Sequence, residues 1–149
     1  MTVIRDPVKR FISQFFYNKN KANQDHFGVD MNIDEYLNSK RAKGAGRLMT
    51  SYFAGIEALA DSSLSTEGLV NKAINNLRCF DLVGVLENLQ HFEREFAEAT
   101  GTTIKVAHHR KNPTDRSKRR SALTEGRMER IKQLCAPDIE LYEAVLSGQ

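Results

Sequence analysis

The residues best suited to chemistry stand in the first thirteen positions. The stretch MTVIRDPVKRFIS puts Arg5 after a short apolar run and directly before an Asp-Pro helix start, with Ser13 seven residues past Asp6. An arginine at such a turn lies at the carboxyl edge of a sheet, where open α/β sheets bind their ligands. The free N–H groups of a helix start favour anions, and a planar guanidinium engages two phosphate oxygens at once. Seven residues at the helical rise separate Asp6 from Ser13 by about 10 Å. An anion touching both Arg5 and Ser13 therefore lies alongside the helix, not on its axis. Ser13 shares the polar flank of that helix with Lys9. A plainer reading stays open beside this one: Arg5 pairs with Asp6 or another carboxylate, and Ser13 is an ordinary polar-face residue.

The second chemical feature is charge. Residues 105–120, KVAHHRKNPTDRSKRR, hold seven Lys and Arg against one Asp, whereas the rest of the chain carries 15 basic and 18 acidic side chains. The net charge of +3 is thus the property of one segment. Such a patch suits a phosphate or a polyanion, and equally a solvated loop. Nucleic acid is a poor fit, because no stacking aromatics interleave with the basic residues. Cys79 and Cys135 are too few and too far apart for a metal set or a disulfide framework. They read as buried, reduced thiols, which favours a reducing, cytoplasmic setting and no metal. His26, His91, His108 and His109 form no catalytic pattern, and His91 reads as an exposed helix residue. The longest apolar runs are about five residues, so no transmembrane segment is expected.

The elements that must position these groups follow from pattern. Residues 2–5 read as the end of a strand, with Asp6 as N-cap and Pro7 at the first helical position. Val8, Phe11, Ile12, Phe15 and Phe16 then form an apolar helical stripe ending near Asn18. A short helix is expected behind Asn32, a flexible break at KGAG (43–46), and helix over 47–56 and 66–78. FDLVGVL (80–86) is apolar and β-branched, as in a buried parallel strand. Leu89, Phe92, Phe96 and Ala99 mark a helix stopped by Gly101. TTIKVA (102–107) reads as a short strand or extended link. Asn112-Pro113 and Asp115 favour turns within a basic loop over 107–121. Thr124 caps a helix to about Cys135, and a further helix restarts at Pro137. The expectation is one helix-rich α/β domain over residues 1–149, with a small parallel sheet of two or three short strands and about six helices. Two or three parallel strands fall short of the usual four to six, as though part of a sheet were missing.

The segment TVIRDPVKRFISQFFY resembles the 3′-phosphate-binding motif of sulfotransferases, which runs Arg-Asp-Pro, then Arg, then Ser, then aromatics. The similarity is to the carbohydrate branch that includes heparan sulfate 2-O-sulfotransferases. RLMTSYFAGI resembles a mid-domain stretch of that branch. FDLVGVLENLQHFEREFAEATG is similar to its strand with Val-Gly–x–x–Glu and following helix, and LTEGRMERIKQLCAPDIELYEAVL to its terminal helices. The resemblance covers nearly the whole chain in order, from Arg-Asp-Pro onward. It implies a partial P-loop-type sulfotransferase fold whose donor is 3′-phosphoadenosine 5′-phosphosulfate, with a glycan hydroxyl as acceptor. Arg5 and Ser13 would contact the donor's 3′-phosphate, while Lys9 and Arg10 fill supporting slots. The family's late basic loop closes over the nucleotide, which makes Arg110 and Lys111 further donor contacts.

The sequence departs from the family in two places. The phosphosulfate loop that precedes Arg-Asp-Pro in the family has no counterpart here, and neither AKGAGRLMTS (42–51) nor GTTIK (101–105) has its spacing. No histidine matches the family's catalytic base, so no catalytic residue is assigned. The expectation is the C-terminal portion of a sulfotransferase-like domain, inactive by itself. The alternative is a non-catalytic helical module that binds nucleotide or polyanion through residues 105–120.

Overall fold

The computed structural model describes residues 1–21, 28–106 and 116–148. Strand β1 (Thr2–Ile4) runs parallel to β2 (Val83–Val85), with Thr2 opposite Val83, Val3 opposite Gly84 and Ile4 opposite Val85. Nine α-helices surround this pair among the described residues, so the helix-rich α/β arrangement with a small parallel sheet is the one observed. None of these helices is long and apolar enough to cross a membrane.

Helix α1 (Pro7–Lys19) starts as its sequence dictates. The Asp6 carboxylate accepts the Lys9 N–H at 2.9 Å, and Pro7 takes the first helical position. Its stripe meets α2 (Ile33–Leu37), where Tyr36 packs on Phe11 and Phe15 with ring centroids 5.8 and 4.9 Å apart. Asn32 and Glu35 form a reciprocal capping box at the start of α2. With Val29 and with Ile131 and Cys135 of helix α9 (Glu125–Leu146), these side chains make a first apolar cluster. Ile4 and Val85 of the sheet belong to a second cluster, with Met49 and Ala54 of α4 (Leu48–Ala54), Ala73 and Leu77 of α6 (Thr66–Leu77) and Leu141. Helix α9 (Glu125–Leu146) runs through both.

Three expectations of local structure are corrected. KGAG is no break: it lies in α3 (Lys40–Gly46), and a Cβ on Gly46 would come within 2.7 Å of the Leu134 carbonyl carbon. The glycine is there to let α3 approach α9, which is a tertiary demand. The helix expected to end at Cys135 continues through Pro137 as one element. Pro137 removes the N–H that would serve the Gln133 carbonyl, and Gln133 is exposed, so water can take that role. Residues 116–122 are helical (α8, Arg116–Ala122) where a basic loop was expected. Asn112, Pro113 and Asp115 lie outside the described residues, and 102–106 are neither helix nor strand.

The helix expected over 47–56 is divided at Gly55 (φ 88°) into α4 and α5 (Ile56–Ala60), whereas Gly101 (φ 69°) ends α7 (Leu89–Thr100) as expected. Gly84 is the one sheet position that needs a missing Cβ, since an added one would stand 2.6 Å from Phe92 Cγ. The thiols divide. Cys135 is buried, and burial pushes its thiol up to about 12, whereas Cys79 is exposed, against the expectation of two buried thiols. Its position in the turn after α6 faces it to solvent.

Candidate functional site

Arg5 follows β1 directly, at the carboxyl end of the sheet. Ile4 anchors the strand in the core, and Asp6 turns the chain into α1, so the sequence Ile-Arg-Asp-Pro fixes the arginine at that corner. The corner is also tied to β2. The Asp6 N–H donates to Glu87 Oε2 at 3.1 Å, and the Tyr142 hydroxyl donates to the same oxygen at 3.3 Å. Burial and the carboxylates of Glu87 and Asp6 push the Tyr142 hydroxyl up to about 12, so it remains a donor at neutral pH. With Asp6 capping α1 and Glu87 beside it, the axial position at the helix start already has negative charge.

Arg5 itself is uncommitted. Its side chain makes no hydrogen bond or ion pair among the described residues, and its Nε is buried without a partner. Among the described residues no carboxylate pairs with Arg5, and Asp6 pairs instead with Lys9 at 3.6 Å. Arg5 borders a cleft of about 330 Å³ between β1 and α4, together with Arg10, Leu48, Met49, Tyr52 and Phe53. A larger cavity of about 490 Å³ lies at the opposite, amino end of β2 beside Arg78 and Asp81, away from Arg5.

Arg10 has the opposite character. Its Nη1 donates to Gln14 at 3.0 Å, and its Nη2 donates to the Ala45 carbonyl and to Asp138 Oδ2. Asp138 is fully buried on α9 and accepts the backbone N–H groups of Met49 at 3.0 Å and Thr50 at 2.7 Å. It thereby caps the first turn of α4 from another helix. Burial raises its carboxyl above the usual range, while the Thr50 and Met49 amides and Arg10 act in the opposite direction. Arg10 is a scaffold residue that holds α1, α3, α4 and α9 together.

Ser13 is half-buried on α1 and does not border the cleft that Arg5 borders. At 100° per residue it shares a flank with Lys9 and Tyr17, away from the core-facing Phe11 and Phe15. Arg5 and Ser13 thus sit on one strand–helix unit but on different surfaces of it, and Arg5 must turn along α1 for both to touch one phosphate. On the helix that carries Ser13, the Phe16 ring centre has the guanidinium of Arg119 of α8 5.9 Å away. Arg110 and Lys111 lie outside the described residues, as do His26, His108 and His109. His91 is half-buried rather than exposed, with Nε2 3.3 Å from Glu95 and Nδ1 2.7 Å from Arg94. Among the described residues no three His, Cys, Asp or Glu side chains gather as a metal ligand set. Comparison with protein-family models, with curated proteins and with solved structures finds no match for this chain.

Glu87, Tyr142 and Asp138 are the residues that sequence reasoning left without roles. The signal was present in part, since all three fall inside segments quoted for the family resemblance. Their partners stand 55 to 128 positions away, which no local spacing displays.

Proposed function

We propose that this chain is the C-terminal portion of a sulfotransferase-like domain, and that it holds the 3′-phosphate side of 3′-phosphoadenosine 5′-phosphosulfate. The observation that carries the reading is an uncommitted arginine, Arg5, at the carboxyl end of a parallel strand and at the head of a capped helix. A buried guanidinium N–H without a partner is costly, and a phosphate oxygen would satisfy it. Supporting it, the four segments that resemble the family meet in two hydrogen-bonded knots. One joins Asp6, Glu87 and Tyr142, and the other joins Arg10, Asp138 and the start of α4.

When bound, the donor supplies an activated sulfuryl group for transfer to a hydroxyl, here a glycan's. The chain's own residues do the holding. Arg5 turns along α1 and grips two oxygens of the 3′-phosphate, while the Ser13 hydroxyl donates to the same group. Arg110 and Lys111 add positive charge from the basic segment. Asp6 and Glu87 keep the phosphate off the helix axis by like-charge repulsion. No described residue is assigned to the 5′-phosphosulfate or to a base for the acceptor hydroxyl.

Titration calorimetry of the chain with adenosine 3′,5′-bisphosphate tests the reading. Arg5→Ala and Ser13→Ala each weaken binding, Arg5→Ala by about tenfold or more, as expected for a lost charge-assisted hydrogen bond. Unchanged affinity in both variants would sink the proposal. Binding of heparin without binding of the bisphosphate would replace it with the polyanion reading through residues 105–120.

A further inference from the structure

Independently of the donor-site reading, we propose that the free edge of β1 docks an extended segment of another polypeptide, which joins the sheet as a parallel strand and sets a carboxylate on Arg5.

The phase of the ladder shows which backbone groups are free. The Thr2 N–H donates to the Leu82 carbonyl at 2.9 Å, and the register sets Thr2 opposite Val83 and Ile4 opposite Val85. Backbone groups alternate sides along a strand, so Thr2 and Ile4 turn theirs toward β2 and Val3 turns its own away. Among the described residues neither the N–H nor the C=O of Val3 has a partner, and the Arg5 N–H has none either. No proline and no charge interrupts Thr2–Ile4, so the edge is a template for pairing.

The 330 Å³ cleft opens along that edge. One wall is β1 itself, continued by Arg5, and the other is α4. On the α4 wall Tyr52 is 77% exposed and Leu48 46%, so apolar surface faces water there. An extended chain in the cleft bonds Val3 through its backbone and lays alternate side chains against Leu48 and Tyr52. Charge then says what else the partner carries. Arg5 and Arg10 are the charged residues of the cleft, and no carboxylate borders it. Arg10 has Asp138 as its counter-charge, whereas Arg5 is unpaired. A parallel strand keeps the direction of the β1–β2 pair and brings its carboxyl-terminal end to Arg5. The partner chemistry is therefore a run of alternating apolar residues followed by an aspartate or glutamate. One guanidinium cannot hold a carboxylate in the cleft and a phosphate along α1, so peptide and nucleotide exclude each other.

The isotope-labelled full chain is titrated with the capped peptide acetyl-Thr-Val-Thr-Val-Thr-Asp-amide, followed by calorimetry and by amide exchange. Binding is expected to slow exchange of the Val3 amide. Methylating one alternate set of peptide nitrogens should abolish binding, and methylating the other set should leave it. Asn for Asp in the peptide, or Arg5→Ala in the chain, each weakens binding about tenfold, and the two together weaken it no further. Equal tolerance of the two methylated peptides, or binding with an unprotected Val3 amide, overturns the strand pairing. A Val3 amide protected before peptide is added, together with a dimer in sedimentation, gives the edge to a second copy and overturns the proposal as well. Peptide and adenosine 3′,5′-bisphosphate bound at once overturn the carboxylate contact. If the bisphosphate binds and the peptide does not, this proposal falls while the donor-site reading stands; if only the peptide binds, the reverse holds.

Discussion

Two arginines five positions apart on the same strand–helix unit have been given opposite tasks. Arg10 donates to Gln14, to a backbone carbonyl and to a buried carboxylate, whereas Arg5 donates to nothing among the described residues. The difference lies with Asp138, which needs a cation beside it because burial disfavours its charge. It also needs two oxygens, one for each amide at the start of α4. Asp138→Asn keeps the shape but offers one oxygen, turns an NH₂ toward the second amide, and leaves Arg10 without its counter-charge. Losing one member of such a buried set costs about 3–5 kcal/mol. Urea unfolding followed by circular dichroism is expected to show that loss, with Arg10→Met less damaging in the Asp138→Asn background than in the wild type. Additive losses would mean that the two residues are not coupled.

At the scale of elements, the caps were legible and the crossings were not. Asp6, Asn32, Thr124 and Gly101 mark boundaries through bonds within four residues, so their types and positions give them away. Gly46 and Pro137 were misread for the opposite reason. A glycine needed for α3 to approach α9 looks the same in sequence as a flexible one, and a proline whose freed carbonyl faces water looks the same as a helix stop. For the candidate site, Arg5 and Ser13 could be picked from spacing, but the place of α8 depends on Arg127, which bonds both the Ala122 carbonyl and Asp34. That pin has a pH signature. The hydrogen bond from Arg127 holds the Asp34 carboxyl below the usual carboxylate range. A group whose folded value is depressed stabilises the fold above its unfolded value, near 3.8 here, and that contribution fades as pH falls through the lower folded value. Arg127→Ala should therefore return the Asp34 titration, followed by carboxyl NMR, toward its ordinary value. The acid-side difference in stability between variant and wild type should close below that window. An Asp34 titration that does not move would remove the pin.

Across the whole molecule, α9 is the element that makes the two apolar clusters one folding problem. Ile131 and Cys135 stand in the cluster under α1 and α2, and Leu141, two turns on, stands with Ile4 and Val85 beneath the sheet. Between them sit Pro137 and Asp138, so the least regular stretch of the helix is also where Arg10 and the start of α4 attach. The strand that positions Arg5 has only one hydrogen-bonded neighbour among the described residues, and its Ile4 leans on this second cluster. Leu141→Ala should thus act at a distance. The side chain is fully buried, so truncation costs about 2–5 kcal/mol, and the midpoint of unfolding should drop. If α9 couples the clusters, that drop appears equally in far-UV circular dichroism and, in a Tyr142→Phe background, in the near-UV tyrosine signal, to which the buried Tyr36 of the other cluster contributes. The Leu141→Ala variant should also bind adenosine 3′,5′-bisphosphate less tightly than wild type wherever folding is incomplete, and with unchanged affinity where it is complete. A near-UV transition that stays put while the far-UV transition falls would show two units that unfold apart, and the corner carrying Arg5 would then depend on the sheet cluster alone.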